Sequence, residues 1–145
     1  MLAGCGAEGP SRAEFARQAD AICRPALAHL LTVKERIDTV SAGADPDVIF
    51  TRTATLIHKG AAISRATFDR IEGLEAPGAQ RDAVGAWVAA NRRQAAMTDA
   101  LADAFDAQDQ TRIAQLSEEI DELDERTNAT ARGLGMRSCA ERVQA

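Results

Sequence analysis

Three cysteines and two histidines hold most of the reactive chemistry open to this chain of 145 residues, and the cysteines fall into two roles. Cys5 ends the stretch Leu2-Ala3-Gly4-Cys5, the residue order of a bacterial lipobox. In that motif a signal peptide is cut just before the cysteine, and the thiol takes a diacylglycerol. A thiol used this way is an anchor, and the protein behind it is extracytoplasmic. A complete export signal has a basic n-region and an apolar h-region of roughly 7–15 residues, and neither precedes Leu2 here. The reading therefore needs an upstream segment outside this sequence; the alternative is a chance match in a Leu-, Ala- and Gly-rich chain. The lipobox is preferred because it accounts for a cysteine otherwise left over. The overlapping Gly4-x-Gly6-x-x-Gly9 spells a dinucleotide fingerprint, but that motif works only between a strand and a helix. No strand fits ahead of Gly4.

Cys23 and Cys139 match no Cys-x-x-Cys redox or zinc spacing. In a reducing compartment they would be two buried, inert thiols; in an exported protein they pair. The export argument selects the disulfide, which over so long a loop stabilises the fold by about 4–5 kcal/mol on the chain-entropy model.

Carboxylates supply the next candidate. Asp99, Asp103 and Asp106 follow an i, i+4, i+7 path, with Asp109 just beyond, and Asp45 and Asp47 stand at the start of another segment. Aspartates near a helix C-terminus oppose its macrodipole. Several oxygens at one end are also what a hard cation such as Ca²⁺ requires. These six residues are the candidate cation-binding set, against the plainer alternative of a solvated helix face. Glu118, Glu119, Asp121, Glu122, Asp124 and Glu125 read as ordinary solvation of a helix. A basic group, Arg12, Arg17, Arg24, Arg65, Arg70, Arg132, Arg137 and Arg142, gathers toward the other end, the end next to Cys5.

Enzyme signatures are missing. Neither His29 nor His58 follows a carboxylate by three residues, so the Glu-x-x-His pairs of a di-iron bundle are not present. There is no haem-attachment or EF-hand motif, no Gly-x-Ser-x-Gly elbow and no Ser-x-x-Lys. His29 falls on or beside an apolar stripe and reads as a core histidine; with Trp87 it marks one place for an intra-bundle pocket. His58 reads as a helix-surface residue. No cofactor is expected. A net charge of −5 argues against nucleic acid. The 3% aromatic content, with no tyrosine, leaves little for stacking bases.

The elements that must position these residues are helices. At 46% hydrophobic and 27% charged residues the chain suits one globular domain, with residues 1–10 as tether and 11–145 as the folded unit. Ser11-Arg12-Ala13-Glu14 is a capping box. Phe15, Ala19, Ile22, Ala26, His29 or Leu30, Val33, Ile37 and Val40 then recur at helical steps. Pro25 lacks an N–H and predicts a kink or short break near Arg24. Asp45-Pro46 opens a second helix, which ends near Leu74 before the turn Glu75-Ala76-Pro77-Gly78. A third runs from about Gln80 to Phe105. The fourth carries Ile113, Leu116, Ile120, Leu123, Thr127, Ala131 and Leu134, and closes on Gly133 and Gly135. Short connections make neighbours antiparallel, hence an all-α, up-down-up-down four-helix bundle with alanine-rich seams that allow close packing. That topology brings Cys23 beside Cys139.

Phe15-Ala-Arg-Gln-Ala-Asp-Ala-Ile-Cys23 and Gly133-Leu-Gly-Met-Arg-Ser-Cys139 together resemble a group of small actinobacterial secreted helical lipoproteins. The resemblance implies a disulfide-linked helical bundle, and it brings no catalytic residues. The expected protein is a non-enzymatic, lipid-anchored extracytoplasmic module with a binding or envelope-accessory role, its membrane partner reached through Cys5. The alternative is a ligand- or divalent-metal-binding lipoprotein using the acidic end or an intra-bundle pocket.

Overall fold

Ser11 starts the first helix as its sequence requires. Its Oγ accepts from the Glu14 amide at 3.2 Å, and its own amide donates to Glu14 Oε2 at 2.7 Å. Those two bonds hold the Glu14 carboxyl below the usual carboxylate range. A computed structural model describes residues 9–40 and 45–141 of the chain. It contains α1 (Arg12–Val40), α2 (Pro46–Glu72), α3 (Arg81–Asp106) and α4 (Gln110–Gly133), with short 3-10 turns at Gly78–Gln80 and Ser138–Ala140. No strand occurs among the described residues. Cys5, the residues before Gly9, and Arg142 lie outside them.

The Asp45 cap also follows from sequence, whereas Asp109, read there as a cation ligand, is a second one. Asp45 accepts from the Asp47 amide at 2.9 Å with Pro46 as the first residue of α2, and Asp109 accepts from the Arg112 amide at 2.9 Å at the start of α4. Each such cap satisfies one of the N–H groups that a helix start leaves without a partner. At the end of α4, Met136 N donates to Ala131 O and Gly135 N to Arg132 O, both at 3.0 Å, the paired bonds of a Schellman stop. The stop needs a left-handed residue, and Gly135 supplies it at φ 86°. The α3–α4 connection uses the same device, with Gln108 at φ 53°. A side chain there is strained, and its amide compensates by donating to Asp47 Oδ1 at 2.9 Å, which ties this turn to the start of α2.

Of the two outcomes expected at Pro25, a kink or a short break, the break does not occur: α1 runs continuously through Pro25. The carbonyl that Pro25 cannot serve is that of Ala21, and both residues are solvent-exposed, where the lost bond costs least. Packing on both sides of the proline holds the helix together: Ile22 and Cys23 before it and Val33 after it are buried.

The helices pack in chain order, α1 on α2, α2 on α3 and α3 on α4. The up-down bundle is therefore open on one side, because α1 and α4 stay apart along most of their length. Only near the chain ends is that side closed. Arg12 of α1 donates to the carbonyls of Gly133 and Leu134, and the C-terminal turn lies between α1 and α4. The Cys23–Cys139 disulfide, Cα–Cα 5.1 Å, fixes that turn to α1.

The main apolar core fills this closed end. Phe15, Ala19 and Ile22 of α1 meet Ile71 of α2, Trp87 and Val88 of α3, Ala131 of α4, and Met136 of the tail. Phe15 and Ile71 are wholly buried. Phe68 stands edge-on to Trp87 with ring centroids 5.2 Å apart, and the Trp87 indole N–H donates to Thr127 O at 3.1 Å, linking α3 to α4. At the far end Phe50 packs on Phe105, centroids 6.0 Å apart, and Leu116 is buried.

Candidate functional site

Between these two bulky ends the middle of the bundle is built from small residues. Ala26 of α1, Gly60 and Ser64 of α2, and Ala95 and Thr98 of α3 all face one space. Alanine-rich seams were expected to allow close packing, and Ala54, Ala61 and Ala102 are fully buried. Where α1 and α4 do not close on each other, the small residues border a hollow of about 370 Å³. Interiors are normally packed with few voids larger than a water. A volume of this size lies in the range of small-molecule sites, roughly 300–1,000 Å³.

The lining mixes apolar and polar groups. Leu27, Leu30, Val33 and Ile37 of α1, with Ile57 and Phe68 of α2, supply apolar surface, beside Lys34, Ser64 and Thr67. Most of these are only half-buried, so the bundle leaves apolar surface wet that a ligand would cover. Gly60 lies under Leu30 and Val33; a Cβ built there would meet Leu30 Cδ2 at 3.7 Å and Val33 Cγ1 at 3.9 Å, ordinary contact distances. The α3–α4 side carries hydrogen-bonding groups beside apolar Ala95, Leu101 and Ile120. Gln94 Nε2 donates to Asp124 Oδ1 at 3.1 Å, and Asn128 Nδ2 donates to Asp124 Oδ2 at 3.0 Å. Asn91 and Thr98 line the same side, donating to the carbonyls of Trp87 and Gln94 at 2.9 Å. Cys23, Ser138, Cys139 and Glu141 bound the hollow where the C-terminal turn crosses.

Asp20 forms the other half of that crossing. Its carboxylate accepts from the Arg137 amide at 2.9 and 3.1 Å and from the Cys139 amide at 3.1 Å. Asp20 and Cys23 of α1 thus grip the same tail, one by charge-assisted hydrogen bonds and one covalently. These are the polar residue and the cysteine of Ala19-Asp20-Ala21-Ile22-Cys23, one of the two motifs on which the sequence resemblance rests.

The six candidate cation ligands are put to other uses. Asp45 and Asp109 are helix caps, and Asp47 accepts from Gln108. Asp99 and Asp103 face α2. His58 Nδ1 is 2.9 Å from Asp99 Oδ1, Nε2 is 3.3 Å from Asp103 Oδ1, and Arg65 pairs with the second oxygen of Asp99. Arg65 therefore belongs to this cluster and not to the basic end. Asp106 adds only its charge near His58. Among the described residues no three His, Cys, Asp or Glu side chains converge as a metal would need. The i, i+4 spacing that suggested a ligand set is the spacing that lets α3 grip one histidine of α2.

That grip raises the His58 pKa above the ordinary 6.5, first through the hydrogen bond to Asp99, against a smaller opposing effect of partial burial, and then through the charges of Asp99, Asp103 and Asp106. A raised histidine stabilises the fold fully below its unfolded value, and that contribution is lost as pH rises through the folded value. The His58 imidazole, followed by NMR, is expected to titrate above pH 6.5 and to fall toward the ordinary value in Asp99→Asn. A wild-type midpoint at or below 6.5 would show that the pair does not form in solution.

His29 is exposed on the outside of α1, with Leu30 taking the inward position, and it does not line the hollow. Trp87 belongs to the packed core; only its partner Phe68 reaches the cavity. The pocket expected near His29 and Trp87 therefore sits elsewhere, along Leu30, Ala95 and Asp124. Asp124, read from sequence as surface solvation, is half-buried and turned inward.

What fold and site define together is an α-helical bundle open along one seam, with a cavity under that seam and a disulfide across its end. No family model matches the chain, and no curated protein or solved structure does either.

Proposed function

We propose that this protein is a non-enzymatic binding module, held at the outer face of a cell membrane by a lipid on Cys5. It carries a small, largely apolar molecule in the cavity between α1 and α4. The observation behind this reading is the cavity itself, about 370 Å³ in a chain whose ends are tightly packed. An apolar wall with a few fixed polar groups is the usual make-up of a ligand site. Gln94, Asn91, Asn128 and Thr98 suit recognition by hydrogen bonds, since none of them exchanges a proton near neutral pH.

The location is argued separately. Cys23 and Cys139 are joined, and disulfides persist in oxidising compartments. Leu2-Ala3-Gly4-Cys5 has the order of a lipobox. The resemblance to actinobacterial secreted helical lipoproteins supports the same placement. From Cys5 to Arg12 the chain can reach at most roughly 25 Å, so the disulfide end would lie near the bilayer. Arg12, Arg17, Arg24, Arg132 and Arg137 are at that end and exposed, where anionic headgroups would attract them.

Thermal unfolding with a simple occupant tests the cavity. A molecule that binds only the folded state raises the melting temperature. 1-Octanol in its soluble range is expected to do so for the wild type. In Ala26→Leu, where a longer side chain replaces a half-buried alanine that lines the space, the rise should shrink or disappear. A wild-type melting temperature that does not respond to octanol contradicts the ligand-site reading.

A further inference from the structure

We propose that the cavity holds one extended, unbranched alkyl chain of about a dozen carbons, the tail of a single-chain lipid. This rests on the cavity's being a ligand site and names the class of molecule that site takes. The shape of the hollow points to it. The lining runs from Cys23 to Ile37 on α1, from Ile57 to Phe68 on α2 and from Asn91 to Leu101 on α3. At ~1.5 Å per residue those stretches make a hollow about 15–20 Å long, parallel to the helices. Its volume of about 370 Å³, at the ~30 Å³ of a water-sized group, is space for about a dozen such groups. An extended polypeptide advances ~3.3–3.6 Å over the three bonds of a residue, so about a dozen chain atoms in line reach about 14 Å. Length and volume therefore agree for a row about one group wide. A compact molecule of the same volume would span about half the length and leave the rest of the hollow empty. A partner helix, some 10–12 Å across, is far too wide.

Aliphatic surface recurs along this whole length. Leu27 and Leu30 stand toward the disulfide end, and Ile37, Ile57, Leu101 and Ile120, one from each helix, stand at the far end. All six are half-buried, so a chain lying along them would take wet apolar surface out of water. The polar groups beside them are engaged within the protein. Asn91 donates to Trp87 O at 2.9 Å, Gln94 and Asn128 donate to Asp124 at 3.1 and 3.0 Å, and Thr98 donates to Gln94 O at 2.9 Å. Lys34 Nζ lies 2.5 Å from Asp38. A methylene chain laid against these groups breaks none of those bonds, so no donor is orphaned by its arrival. Because α1 and α4 stay apart, the head of the lipid can remain in water at the seam while the chain is covered. A branched body of equal volume is wider than the row. It would have to part helices that Phe15, Ile71 and Trp87 lock together at the closed end.

Equilibrium dialysis of the intact, disulfide-bonded protein against straight-chain primary alcohols from hexanol to tetradecanol, each below its solubility, reads the shape of the site. Affinity is expected to rise about fourfold with each added methylene up to about dodecanol, and to rise no further at tetradecanol. Tripropylcarbinol, the compact isomer of decanol, should bind at least about tenfold more weakly than decanol once each is corrected for its partition into alkane. In Ala26→Leu, whose side chain projects into a row one group wide, the break in the series should fall to octanol or shorter. Equal corrected binding of the two isomers, a wild-type break before decanol, a rise that continues through tetradecanol, or a break unmoved in Ala26→Leu overturns the extended-chain assignment and leaves the cavity a ligand site. Binding by none of the alcohols overturns both.

Discussion

Replacing Cys23 and Cys139 together by serine is expected to lower the stability of the fold by about 4–5 kcal/mol. The two residues are 116 positions apart, so the bridge closes almost the whole chain and removes a large share of the unfolded state's freedom. The loss should appear in urea unfolding and as a fall of roughly 10–20 °C in melting temperature. It should exceed what Asp20→Asn costs, since Asp20 holds the tail only by hydrogen bonds to Arg137 and Cys139. The local consequence also matters. Cys23 and Cys139 border the cavity, and the tail they fix spans the otherwise open α1–α4 seam. The serine pair should therefore weaken octanol binding even where the protein remains folded. A double variant within about 1 kcal/mol of wild type would mean that Asp20 and buried Met136 hold the tail unaided, and would remove the bridge's structural role.

Trp87→Ala is the second large effect, an expected loss of about 3–5 kcal/mol. The indole is 2% exposed, packs edge-on to Phe68, and donates from α3 to Thr127 O of α4. Truncation removes burial, an aromatic contact and an inter-helix bond at once, in a core too closely packed to collapse around the gap. Because Phe68 forms part of the cavity wall, the void would join the ligand space. Urea unfolding of the variant gives the energy. A loss below about 1 kcal/mol would show that the closed end is not the rigid half of the molecule.

Much of the fold was legible because its signals are local. Ser11-x-x-Glu14 and Asp45-Pro46 act on backbone groups within three residues, so spacing alone locates them; Asp109 works the same way but was read as a cation ligand. Four apolar stripes and short connections determine a bundle topology, and Cys23 and Cys139 meet where that topology brings them. That Pro25 does not break α1 was not legible, because the cost of its lost bond depends on exposure, and sequence does not show that Ala21 faces solvent. At position 29 or 30 the stripe admitted either residue, and Leu30 took the interior on transfer energy while His29 stayed in solvent.

The site was harder to see for a non-local reason. A cavity arises from which small residues oppose one another across three helices, and nothing in Ala26, Gly60 or Ala95 taken singly distinguishes a close seam from a hollow. Asp124 stood among five other acids on α4, and only its register against Gln94 and Asn128 separates it from them. Likewise the pairing of His58 with Asp99 and Asp103 depends on the α2–α3 register. It could have been suspected from carboxylates that break the helix-dipole rule, since such placements need a compensating cation.

The most direct test is native mass spectrometry of the protein extracted gently from membranes after expression from its gene with the upstream region in place. The account predicts a mass carrying acyl chains on Cys5, two hydrogens fewer than the reduced chain for the Cys23–Cys139 bridge, and a bound small molecule released on activation. A protein found in the soluble fraction, unacylated, fully reduced and carrying nothing, would contradict it.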